Sequence, residues 1–216
     1  MPTIHFHNVH LLLIAQQAAR RAVSDAARPN ALTDDALVAI IMSATAAEAF
    51  INELADYLKV DRNVQGDPVR TPKFLACADL VKEVEDAHGA VTLKYLVASL
   101  ALSGRTFDTS ASPFQDFAEL IKLRNAIVHL KPGNTVGSKK TDALAIRGLA
   151  HSAQTYQMSW LDRLQTPECA AWAVTTARNI MLGILALAPD DYETSALDPL
   201  DFLKKQLRDH PGFAKT

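Results

Sequence analysis

The stretch Pro113–Leu130, PFQDFAELIKLRNAIVHL, decides how this chain is read. Wound at 3.6 residues per turn, it places Phe114, Phe117, Ala118, Ile121 and Val128 on one side, with Leu120, Leu123, Ile127 and Leu130 roughly opposite. A helix with two apolar faces is buried on both. It lies inside a bundle, or it packs on its own core with one face and on a partner with the other. Ser112-Pro113 is expected to open the helix as a cap followed by proline at the first helical position. Pro132-Gly133 stops it near Leu130. Asn125 projects into the first stripe and His129 follows one turn later at its edge. Arg124 lies on the other edge, about 140° around the helix from His129.

The natural packing partner is the long helix from about Ala36 to Lys59, introduced by Thr33-Asp34-Asp35 as a cap and acidic first turn. Its apolar stripe is Leu37, Ile40, Ile41, Ala44, Ala47, Ile51, Leu54 and Leu58. Glu48 projects into that stripe and Asn52 borders it one turn later. An acidic side chain in an apolar stripe calls for a partner. Arg124 is of the right kind, because its fork matches a carboxylate.

The rest of the chain reads the same way. Helices are expected at about 9–27, 73–87, 91–102, 141–164 (with a break in the middle), 167–187 and 197–208. The segments 61–72, 103–112 and 131–140 are read as loops. No run alternates apolar and polar residues in the manner of a strand, so the fold class is all-α. Nothing divides the 216 residues into two domains, and 49% apolar with 21% charged residues is an ordinary globular composition. Cys77 and Cys169 belong to no C-x-x-C pair and read as buried small hydrophobes. The longest unbroken apolar stretches fall well below a membrane span and no signal core follows the N-terminus, so a soluble, cytoplasmic protein is expected. A formal charge of −2 offers no global attraction to nucleic acid. The positive field is local: Lys122, Arg124, Lys131, Lys139 and Lys140 are the charged residues between Leu120 and Thr141, summing to +5. That run could hold a phosphate backbone. It is also the kind of charge that complements a helix C-terminus or forms a solvated face, and both readings stay open.

The stretch Leu123-Arg124-Asn125-Ala126-Ile127-Val128-His129 resembles the signature of the HEPN domain family: an arginine, a polar residue, a short spacer, then histidine near a helix end. Pro113-Phe114-Gln115-Asp116-Phe117, the following Lys131-Pro132, and Ala47-Glu48-Ala49-Phe50-Ile51-Asn52-Glu53-Leu54 are similar to a bacterial, toxin-like branch. The resemblance covers about Thr33 to Pro132. It implies an antiparallel helical bundle with a core at about 33–132, extra helices at the N-terminus, and a C-terminal helical extension over 133–216.

The implied activity is metal-independent, cofactor-free endoribonuclease cleavage by a homodimer. RNA supplies its own nucleophile, the 2′-hydroxyl, so the protein must accept a proton, donate one, and stabilise charge. The resemblance gives proton transfer to His129, phosphoryl charge to Arg124, and orientation of the imidazole or a phosphate oxygen to Asn125. Glu48 and Asn52 are expected to support them, and with an RNA substrate the local charge of Lys122, Lys131, Lys139 and Lys140 is the expected contact for its backbone. The products are a 2′,3′-cyclic phosphate and a 5′-hydroxyl. Toxin-antitoxin or phage-defence roles, with an antitoxin protein as partner, come with this branch. The alternative is a non-catalytic dimerisation or binding module, in which Arg124 neutralises Glu48 while Asn125 and His129 satisfy backbone groups.

Other features carry less. His5, His7 and His10 form H-x-H-x-x-H with no carboxylate or cysteine nearby in sequence, and no metal site is assigned to them. Trp160 and Trp172 read as core or interface residues. The run 133–140 has neither the spacing nor the preceding strand of a phosphate loop.

Overall fold

A computed structural model describes residues 7–26, 33–59, 72–130, 136–152, 158–188 and 199–209. These residues are all-helical, with no strand among them. In chain order the helices are α1 (His7–Ala26), α2 (Asp34–Leu58), α3 (Pro72–Asp86), α4 (Val91–Ser103), α5 (Phe114–Val128), α6 (Val136–Ile146), α7 (Pro167–Leu185) and α8 (Pro199–Asp209). One turn of 3₁₀ helix, Asp162–Leu164, precedes α7. The expected loop at 61–72 lies almost wholly outside the described residues.

The centre of the bundle is α2, packed most extensively on α1 and α7 and also on α3. The facing surfaces are built from alanine: Ala15, Ala18, Ala19 and Ala22 on α1, Ala36, Ala39, Ala44, Ala46 and Ala47 on α2, and Ala170, Ala173 and Ala177 on α7 are all buried. Small side chains let helix axes approach closely, and alanine adds high helix propensity at no side-chain entropy cost. One hydrophobic core runs from Leu12 in α1 to Leu207 in α8, so α7 belongs to it as fully as α2 does. By length and composition α2 is also apolar enough to cross a membrane, with mean hydropathy 1.5 over an 18-residue window. Half of that window is buried inside the bundle. Unbroken apolar runs miss this property, because Ser43, Thr45, Glu48 and Asn52 interrupt the helix.

Local signals explain where the helices end, and where sequence expectation and structure part. The C-terminus of α3 closes with a Schellman pair: Gly89 N–H donates to the Val84 carbonyl (2.8 Å) and His88 N–H to that of Glu85 (2.9 Å). A Cβ on Gly89 would lie 2.6 Å from Val84 Cγ1 and 2.9 Å from its carbonyl oxygen, so the close turn needs glycine. The same motif ends α6, where Leu149 donates to Leu144 and Gly148 to Ala145, with Gly148 at φ +73°. The helix expected over 141–164 therefore starts earlier, at Val136, and stops at Ile146.

The cap-then-proline arrangement expected at Ser112-Pro113 is found instead at Thr166-Pro167, where the Thr166 hydroxyl accepts from Cys169 N–H at 3.0 Å. Ser112-Pro113 is a cis peptide, and Pro113 is itself the residue flanking α5. The Ser112 hydroxyl donates to the Asp116 carboxylate rather than capping the helix. Thr33 does flank α2 in extended conformation, but its hydroxyl makes no capping bond. The acidic first turn it introduces serves tertiary structure: Asp35 takes a bidentate contact from Arg21 of α1, at 3.0 and 2.8 Å.

The start of α1 is held from α2. The Glu53 carboxylate accepts from the backbone N–H of His7 (2.9 Å) and Asn8 (3.2 Å) and from the Asn8 side chain (2.6 Å). This supplies an anion to a helix N-terminus. His7 also contacts Glu53 through Nδ1 at 3.1 Å. Of the other members of the histidine trio, His5 lies outside the described residues. No group of three or more potential metal ligands converges among the described residues.

Candidate functional site

The end of α5 carries Arg124, Asn125 and His129, and α2 and α4 are among the helices that pack against α5. The buried surface of α5 is Phe114, Phe117, Leu120, Ile121, Leu123, Ala126 and Ile127. Both apolar sides are therefore covered through most of its length. At the C-terminal end they open: Asn125 and His129 are exposed, Val128 is 52% exposed and Leu130 58% exposed. Asn125 thus faces solvent instead of continuing the buried stripe of Phe117 and Ile121.

Arg124 points the other way. Its Nη2 forms an ion pair and hydrogen bond with Glu48 Oε2 across the α2–α5 contact. The Arg124 side chain is 18% exposed and that of Glu48 is 37% exposed. Arg124 Nε is buried without a hydrogen-bond partner. His129 is the residue after the last helical turn, and its N–H donates to the Asn125 carbonyl at 3.0 Å. No hydrogen bond between side chains links Arg124, Asn125 and His129 among the described residues. All three share the last two turns of one helix end, with the guanidinium on the α2 side and the amide and imidazole in water.

Asn52, one turn beyond Glu48, accepts from Lys94 Nζ at 2.9 Å. Lys94 on α4 is 2% exposed and also pairs with Glu85 at the end of α3. Burial lowers its pKa and Lys82 adds to the lowering, while the charge of Glu48 acts in the opposite direction. Next to it, the Tyr95 hydroxyl donates to the Ala47 carbonyl at 2.8 Å, and its ring lies 4.6 Å from that of Phe117. Burial holds the Tyr95 phenol protonated far above its ordinary range. Tyr95 therefore sets α4 against both α2 and α5, at the level where the polar network begins. Lys94 and Glu85 were not singled out by sequence reasoning. The signal was present: Lys94 is the lone charge in the apolar run Val91–Leu102, the same kind of anomaly that marks Glu48 on α2.

The basic residues divide. Lys122 and Lys139 are exposed and form no ion pair among the described residues. Lys140 lies 3.6 Å from Glu119, which also binds Arg147 at 3.0 Å, so part of its charge is matched internally. Lys131 lies outside the described residues. At the opposite end of α5, Asp116 accepts from Arg147 at 2.8 Å, and the Arg147 guanidinium lies 5.7 Å from the centre of the Trp172 ring. A shallow groove of about 390 Å³ runs there between α5 and α7, lined in part by Ser112, Asp116, Trp172 and Asn179. Both oxygens of Asp116 are already engaged, by Arg147 and Ser112.

Comparison of the chain with protein-family models, curated proteins and solved structures finds no match. The functional reading therefore rests on the site itself and on the resemblance carried by its residues.

Proposed function

We propose that this protein is a metal-independent endoribonuclease of HEPN type that acts as a cytoplasmic homodimer, with Arg124, Asn125 and His129 as catalytic residues. The observation that carries the reading is the exposure of Asn125 and His129 at the open end of α5, while Glu48 holds the adjacent Arg124. In the proposed reaction an imidazole accepts the proton of the RNA 2′-hydroxyl, whose oxygen attacks the adjacent phosphorus. The bond from phosphorus to the 5′-oxygen breaks, and that oxygen takes up a proton from imidazolium or water. The products are a 2′,3′-cyclic phosphate and a 5′-hydroxyl. Arg124 stabilises charge on the phosphoryl oxygens and Asn125 orients the imidazole or a phosphate oxygen. Val128 and Leu130 supply the apolar contact for a second copy, which brings two motif copies together across a two-fold axis. Lys122 and Lys139, with Lys131 and Lys140, supply local attraction for the RNA backbone. A toxin or defence effector restrained by an antitoxin protein fits this activity.

A second reading follows from the Arg124–Glu48 pair. An arginine already neutralised within the fold suits a non-catalytic dimerisation or binding module, with the same open face as its contact surface. The test is incubation of the purified protein with mixed cellular RNA in EDTA, beside a His129→Ala variant of matched fold and oligomeric state. Cleavage by the parent alone, leaving cyclic-phosphate ends, supports the ribonuclease. Equal cleavage by both assigns the activity to a contaminant or another site. Cleavage by neither favours the binding module.

A further inference from the structure

The charge of α4 is turned inward and its leucines outward. Of its 13 residues only Lys94 is charged, and Lys94 is buried against Asn52 and Glu85. The side facing water carries Leu93, 44% exposed, and Leu100, 47% exposed, with Leu96 and Val97 half-buried between them. A surface helix ordinarily presents its charges to water and its leucines to the core. An outward face of leucine and valine without a charge on it marks a contact surface.

The spacing of that face indicates what covers it. Leu93-x-x-Leu96-Val97-x-x-Leu100 is symmetric about the point between Leu96 and Val97. Two such helices laid antiparallel match each other: Leu93 meets the partner's Leu100, and Leu96 meets the partner's Val97, in the three-and-four spacing of a coiled-coil seam. Charge favours the same direction. The short turn 87–90 makes α3 and α4 an antiparallel hairpin. At its turn end Glu85 and Asp86 are matched by Lys94 and Lys82, while the exposed Glu83 has no ion pair among the described residues. At its open end Lys73 and Arg105 are both exposed, again without an ion pair among the described residues. Antiparallel pairing of two α4 helices brings the basic open end of one hairpin to the acidic turn end of the other. Parallel pairing sets like ends together.

We propose that two copies of this chain pair through the outward face of α4, antiparallel, with the two-fold axis between Leu96 and Val97. The inference rests on the homodimer of the proposed function and adds the face at its centre. Val128 lies about three turns further along the face of α5 on which Phe117 meets Tyr95 of α4. Val128 and α4 therefore stand on the same side of α5, and one interface can hold both.

The experiment uses the full chain with Leu93→Glu, Leu100→Lys and the double variant Leu93→Glu/Leu100→Lys, each checked for helix content by circular dichroism. The readout is the dimer dissociation constant, from light scattering over a dilution series. Each single variant should weaken the dimer about a hundredfold, since a two-fold contact carries the change twice and buries an unpaired charge each time. The double variant should recover most of that loss, because the carboxylate at position 93 of one copy meets the ammonium at position 100 of the other, at both ends of the contact. In Leu93→Cys/Leu100→Cys, oxidation should join two chains covalently. Within one chain the two positions are about 10 Å apart along the helix, too far to bridge.

Single variants that dimerise like the parent, or a double variant no tighter than either single one, overturn the proposal. So does a parent that is monomeric at micromolar concentration, which removes the homodimer as well. If Val128→Asp/Leu130→Asp dissociates the dimer and the α4 variants do not, the homodimer stands and α4 is not its seat. RNA cleavage is scored separately: a parent that dimerises through α4 and cuts no RNA keeps this inference and loses the ribonuclease reading.

Discussion

Glu48 and Lys94 show the same physical rule at the scale of single residues. Each is a charge placed in an apolar helix, and each is matched in the fold by an opposite charge from another helix, Arg124 and Glu85 respectively. The Glu48–Arg124 pairing is legible in the sequence because only a carboxylate and a guanidinium on facing stripes need be supposed. The Lys94–Asn52 contact is not, because it requires knowing that α4 crosses α2 at Asn52. Exposure at the end of α5 is equally hidden: Asn125 continues an apolar stripe on a helical projection, yet it is exposed in the structure, as are Val128 and His129. The cysteines give a prediction at this scale. Cys77 and Cys169 are free and buried, and burial pushes both thiols up to about 12. At pH 8 that leaves a thiolate fraction of ~10⁻⁴, and the thiolate is the reactive form. Neither cysteine should react with an aromatic disulfide reagent over minutes in the folded protein, and both should react at once in denaturant. Rapid release of chromophore from the native protein would contradict this.

At the scale of elements, α6 is tied to the bundle by apolar contact through the buried Leu144 and by charge through the turn that follows it. Arg147, in the turn following α6, binds Asp116 and Glu119 of α5 and lies over Trp172 of α7. Burial acts to raise the pKa of Asp116, but hydrogen bonds from Ser112 and Arg147, the charge of Arg147, and Trp172 outweigh it and leave it lowered. A carboxylate lowered on folding adds stability at pH values above its unfolded pKa of about 3.9. That contribution is lost as the pH falls through the lowered native value. Asp116→Asn should therefore cost about 1–3 kcal/mol at pH 7, where Arg147 loses a charged partner, and progressively less below pH 4. Urea unfolding of parent and variant at pH 7 and pH 3 measures the difference; an equal cost at both values would remove the carboxylate from the account. The position of α6 also shows which boundaries a sequence signals. Gly148 ends it through a left-handed residue and two backbone hydrogen bonds, a cue present in the sequence but equally compatible with a glycine inside a longer helix. Pro113 resembles a helix-opening proline and proves to be one residue outside the helix, and the Ser112 hydroxyl goes to Asp116 instead of capping it.

For the whole molecule, α2 is enclosed by α1, α3 and α7, while α5 meets it over a short span and ends with Val128 and Leu130 in solvent. If that end is the seat of a two-fold contact, as proposed, the parent protein should show the mass of a dimer by light scattering. Val128→Asp with Leu130→Asp should give a monomer of unchanged helix content, since both side chains are already exposed within the chain. A parent that runs as a monomer at micromolar concentration would count against the contact and against a site built from two copies. The all-helical class followed from the sequence alone, because helical periodicity and alanine and leucine content are local properties repeated along every segment. So did the facing of Glu48 and Arg124, because burying a charge in an apolar stripe demands a partner and the chain offers a suitable one. Only the tertiary structure decided that α7 belongs to the central core, that Lys94 lies buried against Asn52 and Glu85, and that Asn125 and His129 stand open at the end of α5. These depend on which helices cross and where each contact stops, and covering or uncovering a residue is a property of its neighbours in space rather than in sequence.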